Sequence, residues 1–193
     1  MSVQIDNIKI TTFPNKLLYK HTEMIIKQIE SYEKKTFPKN EVMAIKKEIY
    51  KKANTSLIAY YEQDIQKEQC IKKVEPKLEK ETNKPNEDIF VTKEIIVVGY
   101  IIYSYISSTL MPVTRILKLC VHHSFRRIGL GEKLLRNVLE RMDVPKRSKA
   151  DLHVDIKREA AINLYKKVGF NIVKRIVNYY EVGRDAWLME FIN

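Results

Sequence analysis

The sequence predicts an α/β fold, because two kinds of apolar pattern alternate along it. In one, apolar residues recur at every second position, as in strands; in the other they recur with a period of about 3.6 residues, as in amphipathic helices. The chain of 193 residues is 45% hydrophobic and 31% charged, a composition that supports a folded domain with a real core. We therefore expect a single domain over residues 1–193, built from about seven strands and about four helices.

The first part of the chain predicts a strand, two helices and a second strand. Residues 8–12 alternate as a short strand, and Pro14 favours the first turn of a helix that Pro38 ends. Asn40 is a favourable cap for a second, shorter helix. The next strand is then expected at residues 56–62.

The remainder of the chain predicts five more strands and two more helices. The expected order is a strand at 95–106, a strand at 115–121, a helix at 129–142, a strand at 151–156, a helix at 158–168, and strands at 171–179 and 186–192. Gly169 is typical of the left-handed residue that ends a helix, and Phe170 of the apolar contact that follows it. A turn at Gly183 connects the last two strands.

A charged segment at about residues 63–90 differs in composition from the rest of the chain. It contains two prolines, charges of both signs and few apolar side chains. Such a segment cannot bury enough apolar surface to offset the entropy cost of ordering it. We expect an exposed, mobile insertion between two strands.

Charge and composition limit the classes of function. The net charge of +11 attracts polyanions, including nucleic acid, ribosomes, anionic membranes and phosphorylated cofactors, so ribosome association is compatible with it. The two cysteines, Cys70 and Cys120, form neither a disulfide framework nor a metal-ligand pattern, so no metal is expected. No apolar run reaches the roughly 18 residues of a membrane span, and the first residues lack the features of a secretory signal. These features favour a cytoplasmic or nuclear protein.

The most informative motif is residues 126–131, Arg-Arg-Ile-Gly-Leu-Gly, between a predicted strand and a predicted helix. Glycine permits positive φ and close backbone approach, and N–H groups at a helix start attract anions. Each flanking arginine can add charge-assisted hydrogen bonds worth about 1.5–3 kcal/mol. A diphosphate suits this phosphate cradle, although an ordinary glycine-containing turn has the same local pattern. The residues after Gly131 exclude a Walker A loop, and the third glycine of a dinucleotide fingerprint is absent.

With this motif the chain resembles the GNAT superfamily of N-acetyltransferases, whose acetyl-CoA motif is Gln/Arg-x-x-Gly-x-Gly/Ala. Arg126, Gly129 and Gly131 match that motif, and residues 161–170 resemble the family's Ala-x-x-Leu-Tyr and Gly-Phe pattern. The resemblance implies the GNAT fold, with a central mixed, twisted sheet flanked by helices, and acetyl-CoA as cofactor. It implies that the cofactor-binding residues are Leu119, Cys120, Val121, Arg126, Arg127, Ile128, Gly129, Leu130, Gly131, Glu132, Asn163 and Tyr165.

Within that superfamily the chain most resembles protein N-terminal (Nα) acetyltransferases. Phe37 and Pro38 follow the first helix, where those enzymes hold the first residues of the peptide. Tyr179 and Tyr180 precede the final hairpin, where paired tyrosines close over the peptide backbone. The resemblance therefore implies that these four residues bind the acceptor.

The same resemblance implies the catalytic residues. The amine attacks the thioester directly in a ternary complex, His153 accepts the amine proton through water, and Tyr165 protonates the leaving thiolate. The backbone near Leu119 and Val121 can polarise the thioester carbonyl. Each side chain also has a purely structural interpretation, His153 and Tyr179 as ordinary strand residues and Tyr165 as part of the core.

Three positions depart from the family pattern. Arg158 stands where the family often has asparagine, which leaves that contact to the cofactor open, with a phosphate contact by Arg158 as the alternative. Arg115 replaces a tyrosine, and residues 39–41 are Lys-Asn-Glu where Met-accepting enzymes have apolar and aromatic residues. A small-molecule amine is therefore an alternative acceptor. A basic ribosome- or nucleic-acid-binding module with degenerate catalysis is an alternative of another class.

Overall fold

The computed structural model describes residues 7–67, 90–107, 112–142 and 149–192, which form one seven-stranded sheet with helices on both faces. The strands are β1 (Lys9–Phe13), β2 (Asn54–Lys67), β3 (Phe90–Ile106), β4 (Val113–Val121), β5 (Lys149–Asp155), β6 (Asn171–Glu181) and β7 (Arg184–Ile192). The helices are α1 (Thr22–Thr36), α2 (Ile45–Ile49), α3 (Leu130–Glu140) and α4 (Glu159–Val168). The predicted α/β class is confirmed within these ranges.

The sheet is mixed, as the sequence predicted. Its strand order is β1-β2-β3-β4-β5-β7-β6. β4 and β5 are parallel neighbours, and the other neighbouring pairs are antiparallel. Parallel neighbours require a crossover connection, and α3 lies in the connection between β4 and β5.

Two apolar layers cover the two faces of the sheet. On one face, α3 and α4 bury Leu134 and Tyr165 against strand residues such as Leu152. On the other face, α1 and α2 bury Ile25 and Ile45. Each fully buried side chain of this size contributes about 1.5–3 kcal/mol by leaving water. This packing places the first turns of α3 and α4 on the same face of the sheet.

A β-bulge in β4 separates this strand from β5. The register shifts between Ile102 and Tyr103 of β3, so that Leu117 is an extra residue in β4. A bulge bends its strand and increases the local twist. The ladder between β4 and β5 ends at Ile116, although β4 continues to Val121. The two parallel strands therefore part directly beyond the bulge.

The bulge also interrupts the alternation of side chains along β4. Ile116 and Leu119 pack in the layer of α3 and α4. Leu117 packs in the opposite layer, and the next residue, Lys118, pairs with Glu33 of α1 on that same side. Two consecutive residues thus face α1, which strict two-residue alternation would not predict.

The first helices begin later than the sequence predicted. α1 starts at Thr22, after a 3-10 turn at Tyr19–His21, and not at Pro14. The Asn15 side chain accepts a hydrogen bond from the Leu18 N–H at 2.9 Å, and such bonds favour a turn over a helix. Asn40 does not cap α2 either. It lies in a 3-10 turn at Lys39–Glu41, and α2 starts at Ile45.

The strands on either side of the charged segment are longer than predicted. Residues 63–67 of β2 continue to pair with β3, whose first residue is Phe90. The rest of the predicted insertion, residues 68–89, lies outside the described residues. In the described part of the chain, no helix is both long and apolar enough to cross a membrane.

Gly169→Ala is expected to destabilise the fold more than Gly183→Ala does. Both glycines have positive φ, 112° and 79°, so alanine costs roughly 1–2 kcal/mol at either position. An added Cβ at Gly169 would also lie 3.2 Å from the Phe191 ring, whereas at Gly183 it would meet no described atom within 4 Å. Urea unfolding of the two variants measures the difference. Equal losses of unfolding free energy would show that the Phe191 contact has no cost.

Candidate active site

A cleft of about 1110 Å³ opens where β4 and β5 part. Both strands line it, together with the first turns of α3 and α4. The remaining walls come from the α1–α2 loop (residues 37–44) and from the tyrosines near the end of β6. Because the parted strands leave β4 without a partner on one side beyond Ile116, the cleft combines a free strand edge with side chains from several elements.

The phosphate cradle forms the start of α3. Gly129 is the residue directly before the helix and has a φ of 82°, a conformation that is unfavourable for other residues. Arg127 also has a positive φ, 65°. The N–H groups of the first helical turn lack intrahelical partners and carry the positive end of the helix dipole. The Arg126 Nε donates to the Val121 carbonyl at 3.0 Å, which keeps this cation beside the end of β4.

Glycine is favoured at the two positions of the cradle for different structural reasons. A Cβ added to Gly129 would meet no described atom within 4 Å, so the positive φ alone favours glycine there. A Cβ added to Gly131 would lie 3.2 Å from Leu164 of α4 and 3.7 Å from the Val121 side chain. Gly131 therefore allows close packing of α3, α4 and β4, a role that the sequence did not indicate.

Glu132 lies in the first turn of α3 and is neutralised by two cations. Its carboxylate contacts Lys167 at 2.6 Å and Arg136 at 3.0 Å. The hydrogen bond from Lys167 is the main cause that lowers the pKa of Glu132. Such exposed pairs add little stability. They do offset a charge that would otherwise repel an anion at the helix start.

Tyr165 of α4 is buried in the wall of the cleft. Its ring packs 6.0 Å from the Phe170 ring, within the apolar layer of α3 and α4. Burial raises the pKa of Tyr165 to about 12, against the opposing effect of Arg158. The hydroxyl is therefore protonated at neutral pH and can donate a proton. Asn163 also lines the cleft and is exposed.

His153 lies on β5, on the opposite side of the strand from Leu152. Its ring stacks on Tyr179, with centroids 4.5 Å apart and an interplanar angle of 10°. Burial lowers the pKa of His153, and nearby Arg115 lowers it further, while Asp151 acts in the opposite direction. Arg115 and Asp151 are joined by two hydrogen bonds of 2.8 Å. The imidazole is therefore neutral at physiological pH and can accept a proton.

The α1–α2 loop is joined to the opposite wall through Glu41. Its carboxylate is 6% exposed and accepts hydrogen bonds of 2.6 Å from Arg158, before α4, and from Arg184, at the start of β7. Arg184 also pairs with Asp155 of β5 at 2.6 Å. Charge-assisted bonds of this length are among the stronger polar contacts in proteins. Arg158 is thus held by a carboxylate of this chain and also lines the cleft.

Aromatic residues at the same end of the cleft lie beside the cations that contact the α1–α2 loop. The Lys118 Nζ is 3.8 Å from the centroid of the Phe37 ring, and the Arg158 Cζ is 5.2 Å from it. The Tyr180 ring lies 5.2 Å from the Arg184 Cζ and 5.9 Å from that of Arg158. Phe37 and Tyr180, which are distant in sequence, are thereby brought to one end of the cleft.

The cleft brings together most of the site residues that the sequence predicted. Those that line it are Phe37, Leu119, Cys120, Val121, Arg126, Arg127, Gly129, Leu130, Gly131, Glu132, His153, Asn163, Tyr165, Tyr179 and Tyr180. Pro38 and Ile128 are not among the lining residues. The sequence did not indicate that Lys118, Arg158 and Arg184 lie beside Glu41, because these contacts join segments that are distant in the chain. Within the described ranges, no group of three His, Cys, Asp or Glu side chains is arranged to hold a metal ion.

Residues 46–170 match the family model described as Acetyltransferase (GNAT) family. The chain is 38% identical over 82 residues to an N-alpha-acetyltransferase of Sulfurisphaera tokodaii. The matched region covers 42% of this chain and 49% of that protein. It is 36% identical over 92 residues to the N-terminal acetyltransferase B complex catalytic subunit NAT3 of Saccharomyces cerevisiae, covering 46% and 47%. The chain thus spans about half the length of these curated relatives.

Solved structures share the fold over nearly the full chain. Arabidopsis thaliana NAA60 in complex with acetyl-CoA is similar with a TM-score of 0.63 and 16% identity, covering 96% of this chain and 98% of that one. The ribosomal-protein-S18-alanine N-acetyltransferase from Escherichia coli is similar with a TM-score of 0.60 and 15% identity, covering 96% and 93%. At these identities the likeness concerns the fold alone.

The titration of His153 is expected to have its midpoint below the ordinary value of about 6.5. Because the pKa is lowered in the folded state, the unfolded chain binds more protons, and this histidine's contribution to stability is lost as pH falls below about 6.5. Replacing Arg115 with glutamine removes a nearby positive charge and should raise the midpoint. NMR of the imidazole C–H signals measures both values. An unchanged midpoint in Arg115→Gln would contradict the electrostatic account.

Proposed function

The chain belongs to the acetyltransferase (GNAT) family, and we propose that it is an acetyl-CoA-dependent N-acetyltransferase whose acceptor is the α-amine of a peptide or protein N-terminus. The observation that carries the proposal is the cleft, which has a helix start suited to an anion in one wall. Its other walls include aromatic side chains beside cations that are paired with carboxylates. The first wall suits a diphosphate, and these other walls suit a short polar backbone. The relatives named N-alpha-acetyltransferase support this choice of acceptor.

The residues of the cradle fit the donor. We assign the first-turn N–H groups of α3, with Arg126 and Arg127, to the diphosphate of acetyl-CoA. The edge of β4 from Leu119 to Val121 faces the cleft beyond the end of the β5 ladder. An extended chain of amides can hydrogen-bond to such an edge as an added strand would. When bound, acetyl-CoA supplies a thioester that is activated for attack by an amine.

The half-buried His153 and the buried Tyr165 are assigned to the proton transfers. A neutral His153 accepts the proton of the attacking amine through water as the N–C bond forms. Tyr165, whose pKa is raised to about 12, donates a proton to the thiolate that leaves as the C–S bond breaks. Burial supports both assignments because it favours the neutral form of each group.

The pKa of the acceptor favours an α-amine over a lysine side chain. A free α-amino group titrates near 7.7–8.0, whereas a lysine side chain titrates near 10.4. Neutralising lysine at a pH of about 7.5 costs about 4 kcal/mol, from roughly three pKa units at 1.36 kcal/mol each. A histidine with a lowered pKa is a weak base, so it suits the amine that is already partly neutral. Phe37, Pro38, Tyr179 and Tyr180 are assigned to holding the peptide.

We also treat residues 1–193 as one GNAT domain, with an insertion in the connection between β2 and β3; the ends of its predicted span of about 63–90 belong to these strands. The family match extends from residue 46 to 170 and so includes sequence on both sides of that segment. The flanking strands pair from Asn54 to Lys67 in β2 and from Phe90 to Ser104 in β3.

A peptide with both a free N-terminus and an internal lysine is expected to be acetylated mainly on its α-amine. The reason is the difference of about 4 kcal/mol in the cost of neutralising the two amines. Mass spectrometry of the product locates the acetyl group. Label mainly on the lysine, or transfer only to small amines offered in competition, would overturn the acceptor and leave the acetyltransferase assignment standing.

Tyr165→Phe is expected to lower kcat by about a hundred-fold or more, the usual contribution of a general acid. The phenylalanine ring keeps the apolar contact with Phe170, so the affinity for CoA should be retained. Release of free thiol measures kcat, and calorimetry measures CoA binding. Unchanged turnover in a folded variant would show that Tyr165 is only a core residue.

A further inference from the structure

Glu33, in the last turn of α1, is a fully buried carboxylate with no role assigned so far. None of its surface is exposed. The Tyr100 hydroxyl donates to it, and the backbone N–H of Met43 donates to its Oε2 at 2.9 Å. The Lys118 Nζ lies 3.6 Å from the same oxygen. The carboxylate therefore contacts the α1–α2 loop on one side and β4 on the other.

Lys118 is the cation of this pair and follows the bulged residue Leu117. Its side chain is 12% exposed and lines the cleft. The ammonium donates to the backbone carbonyl of Glu41 at 2.9 Å and lies 3.8 Å from the centroid of the Phe37 ring. One cation thus contacts the first residue of the α1–α2 loop and the backbone near its middle.

The two ions together hold the α1–α2 loop at three points. The anion binds the N–H of Met43, and the cation binds the carbonyl of Glu41 and covers the ring of Phe37. The loop is not part of a strand or an α-helix over residues 37–44, so its backbone groups depend on such partners. The position of the loop relative to β4 is therefore set by two groups of contacts. One is this ion pair, and the other is the contacts of the Glu41 carboxylate with Arg158 and Arg184.

Stability alone does not account for the pair. Two charges must leave water to form it, and replacing a buried ion pair with apolar residues is often neutral or stabilising. The distinctive property of this pair is geometric, because each ion binds a different backbone group of the same loop.

We propose that Glu33 and Lys118 are positioning residues that set the α1–α2 loop in the geometry that binds the acceptor. The inference rests on the proposed function, since it assumes that the loop bearing Phe37 contacts the acceptor. The polar contacts of the pair go to Met43, Tyr100 and Glu41 and not to the phosphate cradle at the start of α3, so donor binding is expected to depend little on the pair. Loss of the pair weakens acceptor binding and leaves donor binding intact.

The test uses Lys118→Met, the double variant Glu33→Gln/Lys118→Met, and a control. The single variant leaves a buried carboxylate without its cation, whereas the double variant is neutral and retains an acceptor for the Met43 N–H. The matched control, Glu23→Gln/Lys46→Met, removes the exposed ion pair that also joins α1 and α2. Kinetics of peptide acetylation give KM for acceptor and donor. Urea unfolding and hydrogen exchange of residues 37–44 report on stability and on the loop.

The double variant is expected to recover most of the stability lost in Lys118→Met, while its acceptor KM stays about ten-fold above that of the unaltered protein. Its donor KM should not change, exchange in the loop should be faster, and the control should resemble the unaltered protein throughout. Wild-type acceptor KM or wild-type loop exchange in the double variant would overturn the positioning role. Failure of the unaltered protein to acetylate any peptide would instead overturn the proposed function, so the two failures are distinguishable.

Discussion

The bulge at Leu117 is the constraint on which the site depends. A parallel pair such as β4 and β5 would continue its ladder for as long as both strands remain straight and in register. Because β4 takes up an extra residue, the ladder ends at Ile116, and the free edge from Leu119 to Val121 lines a cleft. The same extra residue turns Lys118 towards Glu33 of α1. One local irregularity therefore provides both the surface assigned to the donor and the contact that holds the loop assigned to the acceptor.

Cations at the end of the cleft assigned to the acceptor are paired with carboxylates from other elements. The pairs are Arg115 with Asp151, Lys118 with Glu33, Arg158 with Glu41, and Arg184 with both Glu41 and Asp155. Each pair joins separate segments. Arg158, Glu41, Arg184 and Asp155 form one connected network, unlike isolated surface contacts, which would contribute little. The pairing also has an electrostatic consequence: a cationic α-amine approaching this wall meets charges that are locally balanced, despite the net charge of +11.

The sequence predicted what depends on local pattern. The apolar period of α3 and the left-handed Gly169 after α4 follow from neighbouring residues alone, and the structure confirms both. Gly129, which the sequence placed within the helix, lies directly before it with a positive φ. Leu117 carries no local signal, because a bulge is defined by the register of two strands. Glu41 and Arg184 are 143 positions apart, so no spacing rule could indicate their contact. The contact between Arg158 and Glu41 carries no sequence signal for the same reason, since Glu41 lies in a distant loop.

Burial shifts the pKa values of His153 and Tyr165, the two proposed proton carriers, in opposite directions, and it leaves both groups neutral. Removing a group from water penalises its charged form, which lowers the pKa of His153 and raises that of Tyr165. Both groups are therefore neutral at physiological pH, one able to accept a proton and the other able to donate one. The direct attack of an amine on a thioester requires both capacities within one cleft, because a proton leaves nitrogen and a proton reaches sulfur. Burial is the largest cause of both shifts, through the stacking of His153 on Tyr179 and the place of Tyr165 in the apolar layer, and for His153 the charge of Arg115 acts in the same direction.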